Sequence, residues 1–331
     1  MPSNFASIVD LQVIMTTMAN SFETYQQESQ EFIDALCYTI PVEQKVTRFP
    51  FSKIPGMLAY KEKLTKVSES DVDDEHIDLT LEVFGRKVTA AEEDIQYLGG
   101  KAQAFFENKA LEVAKTSADH ANFWRTSIMT ATAIDPVLMP DDLQGTAYDG
   151  LALYSSSTRF QTTGGNIVTK TGTDPDDIKT DFFSAHTRFS QFRHDKANLR
   201  LIPFQKGRHY IIEYPTALTE SMVTAFQAEF VSQGGAGTQA VSNTLKAYMK
   251  TFGASVELME NRLLSGTTWY IHIINIPNKK PFFLGKWGAP ESYAFGPAND
   301  TDGRDHYMRG FTFIHKYGLC SGLPFTTISV Q

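Results

Sequence analysis

Several places in this 331-residue chain carry residue types that could do chemistry, and in each the spacing argues against it. Asn299, Asp300, Asp302 and Gly303 (NDTDG) are similar to a calcium-binding loop. Taking Gly303 as its sixth position puts Ala298 at the first ligand position and Arg309 at the twelfth, where a bidentate glutamate belongs. Gly234, Gly235 and Gly237 follow a helical pattern instead of a strand, so they read as a flexible loop and not a phosphate cradle. His186 and His194 are too far apart on one helix to share a metal from it, and His272 lies in an apolar run as a core group. Trp269 and Tyr270 could stack a sugar or base, but Ile271 and Ile273 beside them mark core. Asp71, Asp73, Asp74 and Glu75 read as a solvated tip. No nucleophile-elbow, Walker, zincin or paired-cysteine motif occurs. No catalytic, cofactor-binding or metal-ligating residue is therefore assigned.

Composition narrows the class further. The net charge is −8, and the densest basic clusters (Lys61, Lys63 and Lys66; Lys279 and Lys280) are short, so the chain lacks the basic stripe of a nucleic-acid binder. Any DNA contact is expected to be weak. Two distant cysteines, Cys37 and Cys320, fit a reducing compartment rather than a disulfide framework. No basic-then-apolar start reads as a secretion signal, and no apolar run approaches the ~20 residues of a membrane span. The expectation is a protein made in a cytoplasm and kept off membranes.

The elements that must carry these residues follow from periodicity. Ile8, Leu11, Ile14, Met15 and Met18, then Phe22, Tyr25, Phe32, Ile33 and Leu36, predict two helical stretches ended by Pro41. Pro41, Pro50 and Pro55 make 39–55 extended chain. Strand patterns at 57–67 and 76–88, joined by the acidic tip, predict a long two-stranded arm. A lone hairpin is marginal in water, so its partner surface lies on its own domain or on another subunit. Residues 92–132 predict one helix with Ile95, Phe106, Val113, Trp124 and Ile128 inward, about 60 Å long if unbroken. Glycine-rich loops with a strand at 151–154 precede a helix opened by Pro175. Strands are expected at 208–214, 256–259, 269–276, 280–284 and 305–315, with a helix at 216–233. This is an α+β layout without a βαβ repeat.

Four ordered stretches carry a resemblance: 46–60 (VTRFPFSKIPGMLAY), 148–155 (YDGLALYS), 201–218 (LIPFQKGRHYIIEYPTAL) and 268–284 (TWYIHIINIPNKKPFFL). Through them the chain resembles the phage Mu-type major head subunit family, built on the tailed-phage capsid fold of Hong Kong 97 phage. It departs where Ser156, Ser157 and Thr158 stand in place of a histidine that often follows the serine of the second stretch (Ser155 here) in that family. The resemblance implies an N-terminal arm at 1–53, an extended β-hairpin loop at 54–91 and a spine helix at 92–132. It implies a peripheral domain at 133–200 and 285–331, and an axial domain at 201–284. It further implies a major capsid protein that assembles with itself through pentamers and hexamers into an icosahedral shell around the genome, without cofactor. The shell would be assembled in the host cytoplasm and found in the virion, with portal, scaffold or decoration proteins as further partners. In that frame the extended loop lies on a neighbour, and Tyr60, Lys61, Lys63, Leu64, Lys66, Leu79, Leu81 and Phe84 become the expected inter-subunit contacts. Exposed ion pairs contribute only ~0–1 kcal/mol each, so the apolar members should dominate. Rival readings are a tail-tube or decoration protein, which the long helix disfavours, and a cytosolic enzyme without a recognisable motif.

Overall fold

The helical periodicity of the first third becomes the scaffold on which the sheets hang. The computed structural model describes residues 11–52, 74–98, 101–193, 200–202, 206–227, 230–232, 240–276, 279–295 and 308–331. The chain opens with α1 (Leu11–Leu36), β1 (Cys37–Pro41), β2 (Val46–Ser52), β3 (Asp74–Thr80), β4 (Glu82–Ala91), α2 (Glu92–Leu98) and α3 (Ala102–Thr130). The α3 helix has 29 residues, about 44 Å at 1.5 Å each. Ala102, Phe106, Ala110, Val113, Ala114 and Ala118 are buried at three- and four-residue intervals. Most of that stripe is alanine, so α1 can approach closely, and Ile14, Met18 and Phe22 fill the seam. At the far end every residue from Trp124 to Met129 is buried. Ala131 then turns left-handed (φ 52°) and its N–H donates to the Ile128 carbonyl, which ends the helix.

Two expectations change here. The single helix expected over 92–132 is α2 and α3 on either side of Gly99 and Gly100, which lie outside the described residues. The first two helical stretches are one helix, and Pro41 does not end it. The chain passes directly from Leu36 into β1, with Pro41 as that strand's last residue.

The later elements are β5 (Ile167–Val168), α4 (Pro175–Gln191), β6 (His209–Tyr214), α5 (Thr219–Gln227), β7 (Phe230–Ser232), β8 (Ala240–Ser242), α6 (Thr244–Phe252), β9 (Ser255–Glu260), β10 (Trp269–Ile273), β11 (Phe282–Lys286), β12 (Glu291–Phe295), β13 (Met308–Ser321) and β14 (Thr327–Val330). They complete two main sheets. In the first, β13 carries β12 and β11 in succession along one edge and β4 along the other, and β1 adds to β11 in parallel. Alternation along β13 turns Phe311, Phe313, Tyr317 and Leu319 towards the helices. The second sheet runs β5-β14-β10-β6-β9. Tyr210, Ile212 and Tyr214 face one core and Ile211 the other, so β6 is buried on both faces and reads as an apolar run broken only by Glu213. One face takes α4 and α5, through Phe182, Phe189 and Phe226, and the other takes the end of α3.

Elsewhere the structure corrects the sequence reading. The helix expected over 216–233 is a 3-10 turn (Thr216–Leu218) followed by α5, which stops at Gln227. The chain then returns as β7, paired with β8. The strand expected at 151–154 is a single bridge, Thr146 to Ala152, because Arg159 takes the carbonyls of Ala152 and Leu153. The arm is rearranged too. Its described base pairs β2 with β3, from Val46↔Thr80 to Ser52↔Asp74, while β4 leaves the ribbon at Leu81 and joins β13. The expected strand at 57–67 lies outside the described residues. The cores also divide differently from the expected domains. The α4 helix and β14 belong with the second sheet, whereas β11 belongs with the first.

The ribbon base sits on glycine. A Cβ at Gly318 would meet the Thr80 carbonyl and lie 2.9 Å from Leu79 Cδ2, and one at Gly285 would lie 2.7 Å from the same atom. Overpacking of this kind costs ~1–3 kcal/mol. The Gly318→Val variant should therefore lower the unfolding free energy by an amount in that range, seen as a lower urea midpoint, and speed proteolysis within 46–80. An unchanged midpoint and cleavage pattern would show that the ribbon does not rest there.

Candidate assembly surfaces and the clasp between the sheets

The structure separates the eight expected contact residues into two groups. Tyr60, Lys61, Lys63, Leu64 and Lys66 lie outside the described residues. Leu79 and Leu81, at 0% and 6% exposure, belong to the chain's own core beside Val42 and Phe283. Phe84 is half-buried against His120, Trp124 and Tyr317, with ring centroids 4.3, 5.5 and 5.0 Å away. Leu79 and Leu81 are thus covered within the subunit itself, and Phe84 keeps part of its surface. The ribbon's base folds onto its own sheet at Gly285 and Gly318, and β4 is zipped to β13.

The outward face of the first sheet offers other residues. Val83 lies opposite Lys316, Tyr293 opposite Thr312 and Glu291 opposite Ile314. Val83 and Tyr293 are 65% and 53% exposed, Glu291 meets Lys316 at 3.4 Å, and the Tyr293 hydroxyl donates to Glu291. Among the described residues, Tyr97 at the end of α2 and Val137 after α3 are the most exposed of the large apolar side chains. On the ribbon, Arg48 grips Asp78 through two hydrogen bonds of 2.8 and 3.0 Å, which hold the Asp78 carboxyl below its usual range. Both side chains are solvated, so this pair orders the ribbon surface more than it stabilises it.

Beneath these surfaces a buried clasp joins α3 to the second sheet. Arg125 Nη1 and Nη2 donate to the two Glu213 carboxylate oxygens, both at 2.7 Å, and both side chains are buried. Asn261 donates to Glu213 Oε1 and, at 3.0 Å, to Thr126 Oγ1. His272 Nε2 stands 3.5 Å from Glu213 Oε2, and its Nδ1 is 2.8 Å from Thr327 Oγ1. Burial pushes the Glu213 carboxyl up, but Arg125 and His272 outweigh it and bring the group down to about 2. Burial dominates at His272, whose imidazole is held below its usual value and so is neutral. A second knot fixes the loops before β5. Arg159 grips Asp149 and the Ala152 and Leu153 carbonyls, while Asn166 donates to Leu153, Pro324 and Thr327. Sequence reading missed both knots, because their members lie up to 161 residues apart (Asn166 and Thr327) and single polar residues in apolar runs give no periodic signal.

Among the described residues, no group of three or more histidine, cysteine or acidic side chains could hold a metal, and no helix is long and apolar enough to cross a membrane. Both cysteines are buried, and burial pushes the Cys37 thiol up to about 12. Thiol chemistry is suppressed there.

No protein-family profile matches the chain, and no curated protein sequence does. Solved structures do. The capsid of cyanophage P-SCSP1u is similar over 90% of this chain and 86% of its own, with a TM-score of 0.55 at 12% identity. The mature capsid of bacteriophage PhiM1 covers 89% of this chain and 84% of its own (0.51, 10%). A virus-like particle from Pyrococcus furiosus covers 96% and 98% (0.50, 9%). The chain has the Hong Kong 97-type capsid fold. The stretches that carried the resemblance become intelligible within that fold. Residues 201–218 contain β6, 268–284 contain β10 and the start of β11, and 148–155 is the loop that Arg159 clamps. Within these stretches β6 and β10 are almost wholly buried, which restricts their residue types.

Removing one member of a buried ion pair strands the other charge and costs ~3–5 kcal/mol, whereas replacing both by apolar residues costs far less. Glu213→Met should lower unfolding stability by about that amount, and Arg125→Met with Glu213→Met should recover much of the loss in a urea double-mutant cycle. Simple additivity of the two single losses would refute the clasp.

Proposed function

We propose that this protein is the major capsid subunit of a tailed bacteriophage, a structural and non-enzymatic chain that closes with copies of itself into the shell around the genome. One observation carries the reading: solved capsid chains share its fold over nearly their whole length as well as its own. The arrangement of the subunit supports it. The β2–β3 ribbon pairs residues 46–52 with 74–80, the 21 residues between them (53–73) lie outside the described residues, and isolated two-stranded ribbons are marginal without a further surface. The outer face of the first sheet presents Val83 and Tyr293 to solvent.

In this reading the second sheet with α4, α5 and α6 is the axial part, which faces its equivalents around five-fold and six-fold axes. The first sheet with α1 and α3 is the peripheral part, and the ribbon is the extended loop that lies on the next subunit. Contacts of this kind are heterologous and close into rings. Tyr60, Lys61, Lys63, Leu64 and Lys66, between β2 and β3 in sequence, stay as contact candidates, joined by Val83 and Tyr293. Portal, scaffold and decoration proteins are the partners such a shell calls for, and the net charge of −8 suits a lining that touches DNA weakly.

Negative-stain microscopy of the purified protein tests the reading: closed shells or polyheads are expected, and particles of single-subunit size at high concentration would overturn it. Replacing 57–70 by a short Gly-Ser turn, with β2 and β3 kept, should leave the urea midpoint of the subunit unchanged and abolish shells. Intact heads from that variant would remove the ribbon from the assembly mechanism.

A further inference from the structure

Thr80 is where the ribbon parts from the first sheet. It is the last residue of β3 and pairs with Val46 of β2, and β4 starts two residues later to join β13. Along an antiparallel ribbon the N–H and C=O of alternate residues point away from the partner strand, towards the place of a third strand. Those of Thr80 point that way, and among the described residues no strand pairs with β3 there. Gln144, in the loop after α3, supplies the missing groups. Its Oε1 accepts from the Thr80 N–H at 2.8 Å, and its Nε2 donates to the Thr80 carbonyl at 2.9 Å. A carboxamide offers an acceptor and a donor as a peptide does, so the Gln144 side chain acts as a strand one residue long.

Gln144 is itself fastened to the body. Its N–H donates to Asp142 Oδ1 at 2.8 Å, and its carbonyl accepts from the N–H of Ser321, the last residue of β13, at 2.9 Å. The Ser321 hydroxyl donates to the Gly145 carbonyl at 2.7 Å. From the other side Gly318 of β13 backs the Thr80 carbonyl, so the Thr80 peptide is seated between that glycine and the Gln144 carboxamide. The backbone of Gln144 lies at φ 55°, in the left-handed region that glycine adopts freely and asparagine and aspartate tolerate best among the rest. Asparagine would suit this backbone better, but its carboxamide is one methylene shorter. A locally disfavoured residue thus stands where its length completes the contact.

We propose that Gln144 is a positioning residue for assembly: it fixes, at Thr80, the direction in which the β2–β3 ribbon leaves the first sheet, and so the place on the next subunit that the ribbon meets. Leu79 in the core and Phe49 stacked on Phe283 at 5.7 Å also hold the ribbon's base. Those apolar contacts tolerate a small rotation, whereas a two-point hydrogen bond to one peptide does not. The lever is long. From Thr80 to Asp74 the strand covers about 20 Å, so a turn of ~10° at Thr80 moves its far end by roughly 3–4 Å. The step from ribbon direction to assembly rests on the shell reading; the direction within one subunit does not.

Two measurements separate these halves. Spin labels at His76→Cys on the ribbon and Lys115→Cys on α3, both exposed positions, report the ribbon's direction by double electron–electron resonance, with labelled protein diluted in unlabelled protein so that only distances within one chain are read. The native cysteines are buried and stay unlabelled. One narrow distance is expected with Gln144, and a distribution broadened or shifted by several Å with Gln144→Asn and Gln144→Ala. Exchange of the Thr80 amide should rise roughly 10- to 100-fold in both, what two neutral hydrogen bonds are worth. The urea midpoint of Gln144→Asn should change little, because asparagine relieves the backbone. In negative stain, Gln144→Asn should give open sheets, polyheads or heads of mixed size where the unsubstituted protein gives closed shells of one size. An unchanged distance together with faster Thr80 exchange would overturn the proposal, since the apolar contacts would then set the direction alone. An altered distance with uniform shells of normal size would overturn the step to assembly. Should the unsubstituted protein form no shells, the shell reading fails, and the spin-label distances still decide what Gln144 does in the subunit.

Discussion

Arg125 and Glu213 meet through two parallel hydrogen bonds in the middle of the subunit, and water reaches neither charge. Such a pair is a poor source of net stability, because desolvation consumes most of the attraction. It is a strict source of geometry. The apolar contacts around it, Trp124, Ile128 and Met129 against Ile211, Met259 and Tyr270, would tolerate a helix shifted or rotated by a small amount. The ion pair would not, because a misplaced guanidinium leaves a bare carboxylate behind. The α3 helix is thereby indexed in depth and rotation to the second sheet. Since α1 and the first sheet pack on the same helix, the two sheets are indexed to one another. Asn261 and His272, bridging to Thr126 and Thr327, extend the requirement to β14.

What was legible in the sequence followed burial. Residues 208–214 and 269–276 read as strands because both faces of β6 and β10 are covered, and Pro175 marked the start of α4 at its first helical position. The alternation of β13 was visible over part of its length. What could not be read was partnership. Residues 76–88 look like one strand, yet they serve two sheets, since Leu81 is buried at the break and β4 pairs with a segment more than 200 positions away. Leu79 looked like an exposed apolar contact because nothing local says that Gly285 and Gly318 leave room for it. Loop geometry set by side chains was invisible for the same reason: Arg159 replaces strand pairing around Ala152 by accepting nothing and donating to both carbonyls. Of the eight nominated contact residues, five lie outside the described residues, Leu79 and Leu81 are core, and Phe84 is half-buried.

The likeness to solved capsids persists at identities of 9 to 12%, which physical reasoning makes intelligible. A layered fold is specified by where apolar residues fall and where the backbone must approach closely, and many residue types satisfy either demand. The polar knots are less interchangeable, since each member must find its partner at hydrogen-bond distance across a long stretch of chain. Profiles built on residue identity lose such a protein before the arrangement itself is lost. Pattern and order outlast letters.

The same knots explain why the interior does not look like a reaction centre. A catalytic group must combine a tuned proton affinity with access to a substrate. Here the strongly shifted groups that are sealed in, Glu213 and His272, are occupied by Arg125, Asn261 and Thr327. Those on α3 and β13, His120 and His315, are held neutral among cations and aromatic rings, with no carboxylate facing them to share a proton among the described residues. A neutral imidazole hydrogen-bonded to a tyrosine on one side and a carbonyl on the other has both nitrogens engaged, leaving no lone pair to act as a base. Both of its bonds hold neighbouring elements together, the Leu138 carbonyl in the turn after α3 and the Tyr317 hydroxyl on β13.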